Sequence, residues 1–241
     1  MKTVVIRLTG GGAISEVGTE TDLPWWGYRS MHITPSVYSD LTALIANNPS
    51  IKFIFVCGGI GAFLFTDLVK NLALNTHADE VGRGIISILN GIAISYLNSF
   101  SINVYPNEIP VNEVGKYLST TDASCFFIKP DTGCISSDSL AAEAAFLSKA
   151  ELLLYVKKGA PQYHVGFDKP TIINRWSLDD IELKSLTLYE EQAKHYVLDY
   201  QACSILKSNT NEIYIIPPEI IREINTSSFP GSNSELVTRV Y

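Results

Sequence analysis

Short runs of β-branched and apolar residues alternate with stretches of helical periodicity along most of the chain. Thr3 to Leu8 is apolar except for Thr3 itself and Arg7, and Phe53 to Cys57 is apolar throughout. Runs this short predict strands covered on both faces. Between them Val37, Leu41, Leu44 and Ile45 recur at the spacing of one helix face, so the opening reads as strand, helix, strand. The alternation continues with a helix from about Arg83 to Tyr96, strands near Ile102 to Val104 and at Cys125 to Ile128, a helix from Ser139 to Lys149, and a strand at Leu152 to Val156. After Lys157 a segment with glycine, proline and aromatic residues predicts an ordered loop or a hairpin. Helices restart at Ser177, where a serine before two aspartates reads as an N-cap, and over Val197 to Leu206. A strand at Ile213 to Ile216, a short helix after Pro218 and a strand at Leu236 to Tyr241 complete the order. It predicts an α/β fold, a doubly wound and mainly parallel sheet, with no internal repeat and a functional division near residue 130.

Composition narrows the function classes. With 46% hydrophobic and 18% charged residues the chain is ordinary for a globular protein, and a net charge of −7 gives no basic face for nucleic acid. The longest apolar stretch, Ile85 to Leu97, is interrupted by polar residues and is shorter than the roughly 20 residues of a membrane span. Cys57, Cys125, Cys134 and Cys203 form no CxxC pair, and the first strand begins without a basic, apolar leader. Free thiols and a cytoplasmic location are the expectation. His32, His77, His164 and His195 share no metal-ligand spacing, so no protein metal site is expected.

Two glycine clusters carry the first chemical signal. RLTGGG, ending at Gly12, and CGGIG, starting at Cys57, both follow predicted strands, which puts bare amides at the carboxyl edge of the sheet where open α/β sheets bind ligands. Glycine lets backbone N–H groups approach an anion and Arg7 adds fixed positive charge, so the clusters read as phosphate cradles or as tight turns. Neither is a GxGxxG or a P-loop. In SSDSLAAEAAFL, Ser136 or Ser137 can cap a helix whose first turn holds Asp138. That carboxylate either complements the helix dipole or faces the sheet's carboxyl edge.

In this order the motifs resemble the amino acid kinase family. RLTGG is similar to that family's KLSGE or KLGGS opening, and GGIGAF stands where it has a second glycine loop. ADEVGRGIISILNGIAI resembles the segment of uridylate kinases in which an acidic residue precedes a helix carrying an Asn-Gly or Asn-Ala pair. SSDSLAAEAAFLSKAELLL resembles its TTD segment, with Glu151 thirteen positions after Asp138, and YVLDYQACSIL resembles its late VMDxxA helix, with Asp199 and Ala202 in the matching places. The uridylate kinase-like branch is the nearest in motif order.

The resemblance implies a three-layer αβα sandwich formed by one domain over 1–241, the acceptor held by about 1–130 and the nucleotide by about 131–241. It implies a kinase that uses ATP and Mg2+ to phosphorylate a small anionic metabolite, nucleotide-like acceptors included, in a homo-oligomer, dimer or hexamer. Carried over, Arg7 and Asp138 are the catalytic pair, Gly10 and Gly11 cradle the transferring phosphoryl, and Gly58 and Gly59 hold the acceptor's anionic group. Asp79 or Glu80 lies near the acceptor. Ser137, Lys157 and Lys158 lie toward the nucleotide, although two lysines at a strand end also read as a solvated basic pair.

Three departures are written in the sequence. The family's first lysine is Arg7, its Asp-Gly-Val segment is replaced by KKGAPQYHVGF, and the arginine that follows the uridylate kinase glycine loop is replaced by Ala62-Phe63-Leu64-Phe65. The first changes hydrogen-bond geometry while keeping charge, and the last argues against UMP as the acceptor. A binding or storage protein for nucleotide or oxyanion, as in molybdenum storage protein, and a diverged structural or regulatory subunit remain the alternatives on the same fold.

Overall fold

The computed structural model describes residues 2–8, 14–17, 30–33, 35–58, 78–130, 133–134, 136–157, 160–163, 171–188, 198–209, 211–224, 229 and 235–241. Its centre is an eight-stranded sheet in the order β10, β12, β11, β7, β1, β4, β6, β5. The strands are β1 Thr3–Leu8, β4 Lys52–Cys57, β5 Val104–Ile109, β6 Cys125–Ile128, β7 Leu152–Val156, β10 Arg175–Trp176, β11 Glu212–Ile216 and β12 Thr238–Val240. All neighbours pair in parallel except β11 with β12. Two small hairpins, β2 Ile14–Val17 with β3 Ser30–Ile33 and β8 Gln162–Tyr163 with β9 Thr171–Ile172, stand apart from it.

Alternation along the strands divides the core into two layers. On β1, Val4, Ile6 and Leu8 face a layer closed by α1 (Pro35–Asn47) and α2 (Ala78–Ser99), whereas Val5 faces the opposite layer. The second layer is closed by α3 (Val114–Thr120), α4 (Ser137–Ser148), α5 (Leu178–Leu188) and α6 (Tyr200–Lys207). This is a three-layer αβα sandwich. Ala141, Ala142, Ala144 and Ala145 of α4 have no exposed surface, because the helix is pressed between the sheet and its neighbours α3 and α6. Small side chains allow that close approach.

Two predicted elements move. The strand expected near Ile102 to Val104 runs instead over Val104–Ile109, through Pro106, Asn107 and Glu108. As the edge of the sheet, β5 tolerates a proline and polar residues that a central strand would not. The helix expected from Arg83 begins earlier, over Ala78–Ser99, which takes in Asp79 and Glu80.

Lys52, only 6% exposed at the start of β4, ties this side of the sandwich to α3. Its ammonium donates to the carbonyl oxygens of Leu118 at 2.6 Å and Thr121 at 2.7 Å, at the end of the helix. Burial pulls its pKa below the ordinary lysine value. Lys52→Met strands both carbonyls, and urea denaturation is expected to show a stability loss of about 1–3 kcal/mol.

Candidate active site

At the carboxyl edge β1, β4 and β7 end side by side, with Arg7 level with Val56 and Tyr155. Arg7 alternates onto the α4 side of the sheet and meets the amino end of that helix. The start of α4 is set by Ser136, whose hydroxyl accepts from the backbone N–H of Asp138 at 2.9 Å and of Ser139 at 3.3 Å, while Ser139 Oγ accepts from Ser136 N at 3.0 Å. This capping box fixes the direction of the first helical residues. Of the two serines expected as the cap, it is Ser136 that serves.

Ser137 and Asp138 consequently face the strand ends. Arg7 Nη2 donates to Ser137 Oγ at 2.8 Å, and Arg7 Nε lies 2.8 Å from Asp138 Oδ1. The second contact has ion-pair distance but not hydrogen-bond direction, and among the described residues Nε, Nη1 and Oδ1 are buried without a hydrogen-bond partner. Lys157, the residue after β7, donates to Asp138 Oδ2 at 2.7 Å. The three side chains are 12%, 9% and 14% exposed. The solvated-pair reading of the lysines therefore fails for Lys157: parallel pairing sets the end of β7 beside Arg7, and the ammonium turns into the carboxylate between them.

The electrostatics follow from this burial. Desolvation pushes Asp138 up, but Arg7 and then Lys157 outweigh it and hold the carboxyl below the ordinary aspartate value. Burial takes Lys157 below the ordinary lysine value in spite of the attraction of Asp138. With both cations protonated, two positive charges flank the Asp138 carboxylate, and the field of a second carboxylate, Asp199, also reaches Lys157. Tyr155, fully buried in β7, donates to the carbonyl of Asp138 at 3.1 Å and braces the first turn of α4.

Gly58 closes the cluster. Its N–H donates to Leu8 O at 2.8 Å, which carries the β1 and β4 pairing one step past the strands. A Cβ at this position would come within 2.5 Å of Ser137 Oγ and 2.8 Å of Arg7 Nη2. Any larger residue here must displace one of these two side chains.

Asp199 links the site to α6. It caps that helix by accepting from Ala202 N at 2.9 Å, and its other oxygen accepts from Ser136 Oγ. One serine thus joins two helix amino ends at the same edge. Sequence reading placed Asp199 in a motif but did not anticipate this link, nor Tyr155; the serine, whose hydroxyl both donates and accepts, was the available signal.

Of the remaining expected site residues, Asp79 and Glu80 lie in the first turn of α2, with Glu80 exposed. The side chain of Asp79 and all of Gly10, Gly11, Gly59 and Lys158 lie outside the described residues. Arg7, Gly58, Ser137, Asp138 and Lys157 are brought together.

Fold and edge cluster together define an αβα sandwich with a cationic site at the carboxyl ends of its parallel strands. No protein-family model matches the sequence, and no curated protein matches it. Solved structures do. Uridylate kinase from Archaeoglobus fulgidus shares 16% identity over 100% of both chains with a TM-score of 0.70. UMP kinase from Ureaplasma parvum shares 18% over 99% of this chain and 98% of its own, with a TM-score of 0.66. UMP kinase from Bacillus anthracis shares 13% over 99% and 95%, with a TM-score of 0.68. The chain has the fold of these uridylate kinases, in the amino acid kinase-like architecture.

Proposed function

We propose that the protein is a small-molecule kinase that transfers the γ-phosphoryl group of ATP to a small anionic acceptor. The observation that carries this reading is the buried Arg7, Asp138 and Lys157 cluster beside Gly58. Phosphoryl transfer needs positioning and charge neutralisation more than a protein nucleophile, and a preorganised site with two buried cations supplies both. The residues fit a phosphate in one respect: among the described residues, Arg7 Nη1 is a buried donor without a hydrogen-bond partner.

In the step itself an acceptor oxygen forms a bond to the γ-phosphorus as the bond to the ADP oxygen breaks. Magnesium, carried on the nucleotide phosphates, would supply charge neutralisation there. Asp138 holds the guanidinium and the ammonium on either side of itself, so neither cation needs to reorganise as charge moves between the bridging oxygens. Ser137 fixes the guanidinium plane, and Tyr155 with Ser136 fixes Asp138. In this reading about 1–130 holds the acceptor and about 131–241 the nucleotide.

The test is a thermal-shift titration with ATP, ADP, GTP and UTP, with and without Mg2+, followed by ADP release with a panel of nucleoside monophosphates. A magnesium-dependent rise in Tm with one nucleotide, and ADP release with an acceptor, are expected, since a ligand of the folded state raises its stability by mass action. No shift with any nucleotide overturns the proposal. A shift without ADP release from any acceptor moves the reading to a protein that holds nucleotide or oxyanion on this fold.

A further inference from the structure

A second polar group sits on the other face of the sheet, on the edge strand. Glu108 of β5 is half-buried, and its carboxylate accepts from Ser87 Oγ at 2.9 Å and from Asn90 Nδ2, both on α2. Among the described residues no lysine, arginine or histidine pairs with it. Asn90 is fully buried, and its Nδ2 also reaches Ile128 O at 3.1 Å. Those two contacts fix which way the amide points and leave Oδ1 without a hydrogen-bond partner among the described residues. A carboxylate without a cation carries a desolvation cost that a donor on a ligand would offset.

The sheet register gives the distance from the cation cluster. Glu108 stands beside Phe127, Phe127 beside Phe55, and Phe55 beside Ile6, so Glu108 is three strands across from β1 and one residue short of the level of Arg7. At about 4.8 Å per strand the two backbones are about 14 Å apart. Cys57 lies between them: burial pushes its thiol up, Arg7 opposes that rise and Glu108 adds to it, so both charges reach the same point on the edge. Because the two side chains leave opposite faces, a molecule bridging this interval passes over the carboxyl edge of the sheet, with its anionic group at one end and a ring at the other. A two-carbon or three-carbon metabolite is too short.

We propose that Glu108, oriented by Ser87 and Asn90, determines acceptor specificity by selecting a nucleoside monophosphate whose base edge carries an amino donor. Cytosine is the direct match, because a carboxylate accepts from its N4 amino group whereas uracil presents a carbonyl oxygen at that position. The placement of the acceptor phosphate rests on the kinase reading of the Arg7, Asp138 and Lys157 cluster.

CMP and UMP differ at that one group and serve as probes, titrated calorimetrically into the full-length protein, with pyrophosphate as the probe of the cation cluster. CMP is expected to bind about tenfold or more tightly than UMP, as one charge-assisted hydrogen bond would give. Glu108→Gln is expected to bring the two within about twofold while leaving pyrophosphate binding unchanged, since an amide accepts and donates alike. Ser87→Ala, which keeps the charge and the Asn90 contact, is expected to lower the preference partly, and it serves as the reporter if Glu108→Gln fails to fold. Equal affinities in the wild type, a preference that survives Glu108→Gln, or binding of pyrophosphate without either mononucleotide overturns the specificity assignment alone. Loss of pyrophosphate binding as well overturns the kinase reading beneath it.

Discussion

Asp138→Asn is expected to lower phosphoryl transfer by at least about a hundredfold, the scale of losing one preorganised electrostatic contact, and to destabilise the fold. The amide keeps the shape but leaves Arg7 and Lys157 facing each other across a site that is about one-tenth exposed. Removing one member of a buried charge cluster typically costs about 3–5 kcal/mol. Adding Lys157→Met to Asp138→Asn removes the surplus cation, so guanidinium chloride denaturation should show stability returning while turnover does not. A double variant that regains turnover, or a single variant that never loses it, would show that the carboxylate organises nothing catalytic. The pH dependence has a definite sign. Because the folded pKa of Asp138 lies below the ordinary value, the unfolded chain binds more protons as pH falls. The stabilisation is therefore present above about pH 4, the unfolded aspartate value, and is lost below it. Lys157, also lowered, works in the alkaline range, where stability gains as the buried ammonium is relieved of its charge.

What the sequence made legible follows from which residues face one environment only. The strand over Leu152 to Val156 was predicted with the bounds it has, and Phe53 to Cys57 within one residue, because central strands covered on both faces leave an unbroken apolar run. The edge strand was displaced for the same reason in reverse: Tyr105, Pro106, Asn107 and Glu108 answer to solvent, a bulge and α2, and no period survives. At the site, Arg7 and Asp138 were marked by their position after a strand and within a helix's first turn. Their partnership was not readable from spacing, since 130 residues separate Arg7 from Ser137 and only the parallel register closes that gap. Lys157 looked like one of two surface lysines because a strand end gives no sign of which neighbouring strand lies beside it. Glu108 carried no signal of its own, since it stands between Asn107 and a single apolar residue, Ile109, with prolines at 106 and 110.

Gly58→Ala is expected to damage the site far more than the fold. The added methyl group would lie 2.5 Å from Ser137 Oγ, 2.8 Å from Arg7 Nη2 and 3.1 Å from Arg7 Cζ, distances at which something must move. The backbone of β4 is held by its pairing to β1 and by the Gly58 N–H bond to Leu8 O, so the Ser137 hydroxyl and the guanidinium bonded to it are what yield. Overpacking of this kind costs about 1–3 kcal/mol of stability, whereas moving Arg7 off Ser137 and Asp138 removes two contacts to a side chain whose Nη1 is, among the described residues, a buried donor without a hydrogen-bond partner. Pyrophosphate affinity is expected to fall by about tenfold to a hundredfold, the equivalent of one charge-assisted hydrogen bond. The cause can be separated from general disruption by a double-mutant cycle with Arg7→Lys. In the wild-type background Arg7→Lys loses the fork that spans Ser137 and Asp138. In the Gly58→Ala background the narrower ammonium leaves room for the methyl group, so the same substitution should cost less or restore binding. Strictly additive effects would place the clash somewhere other than between these two residues, and the close packing of Gly58 against Arg7 would then not be what holds the guanidinium in the site.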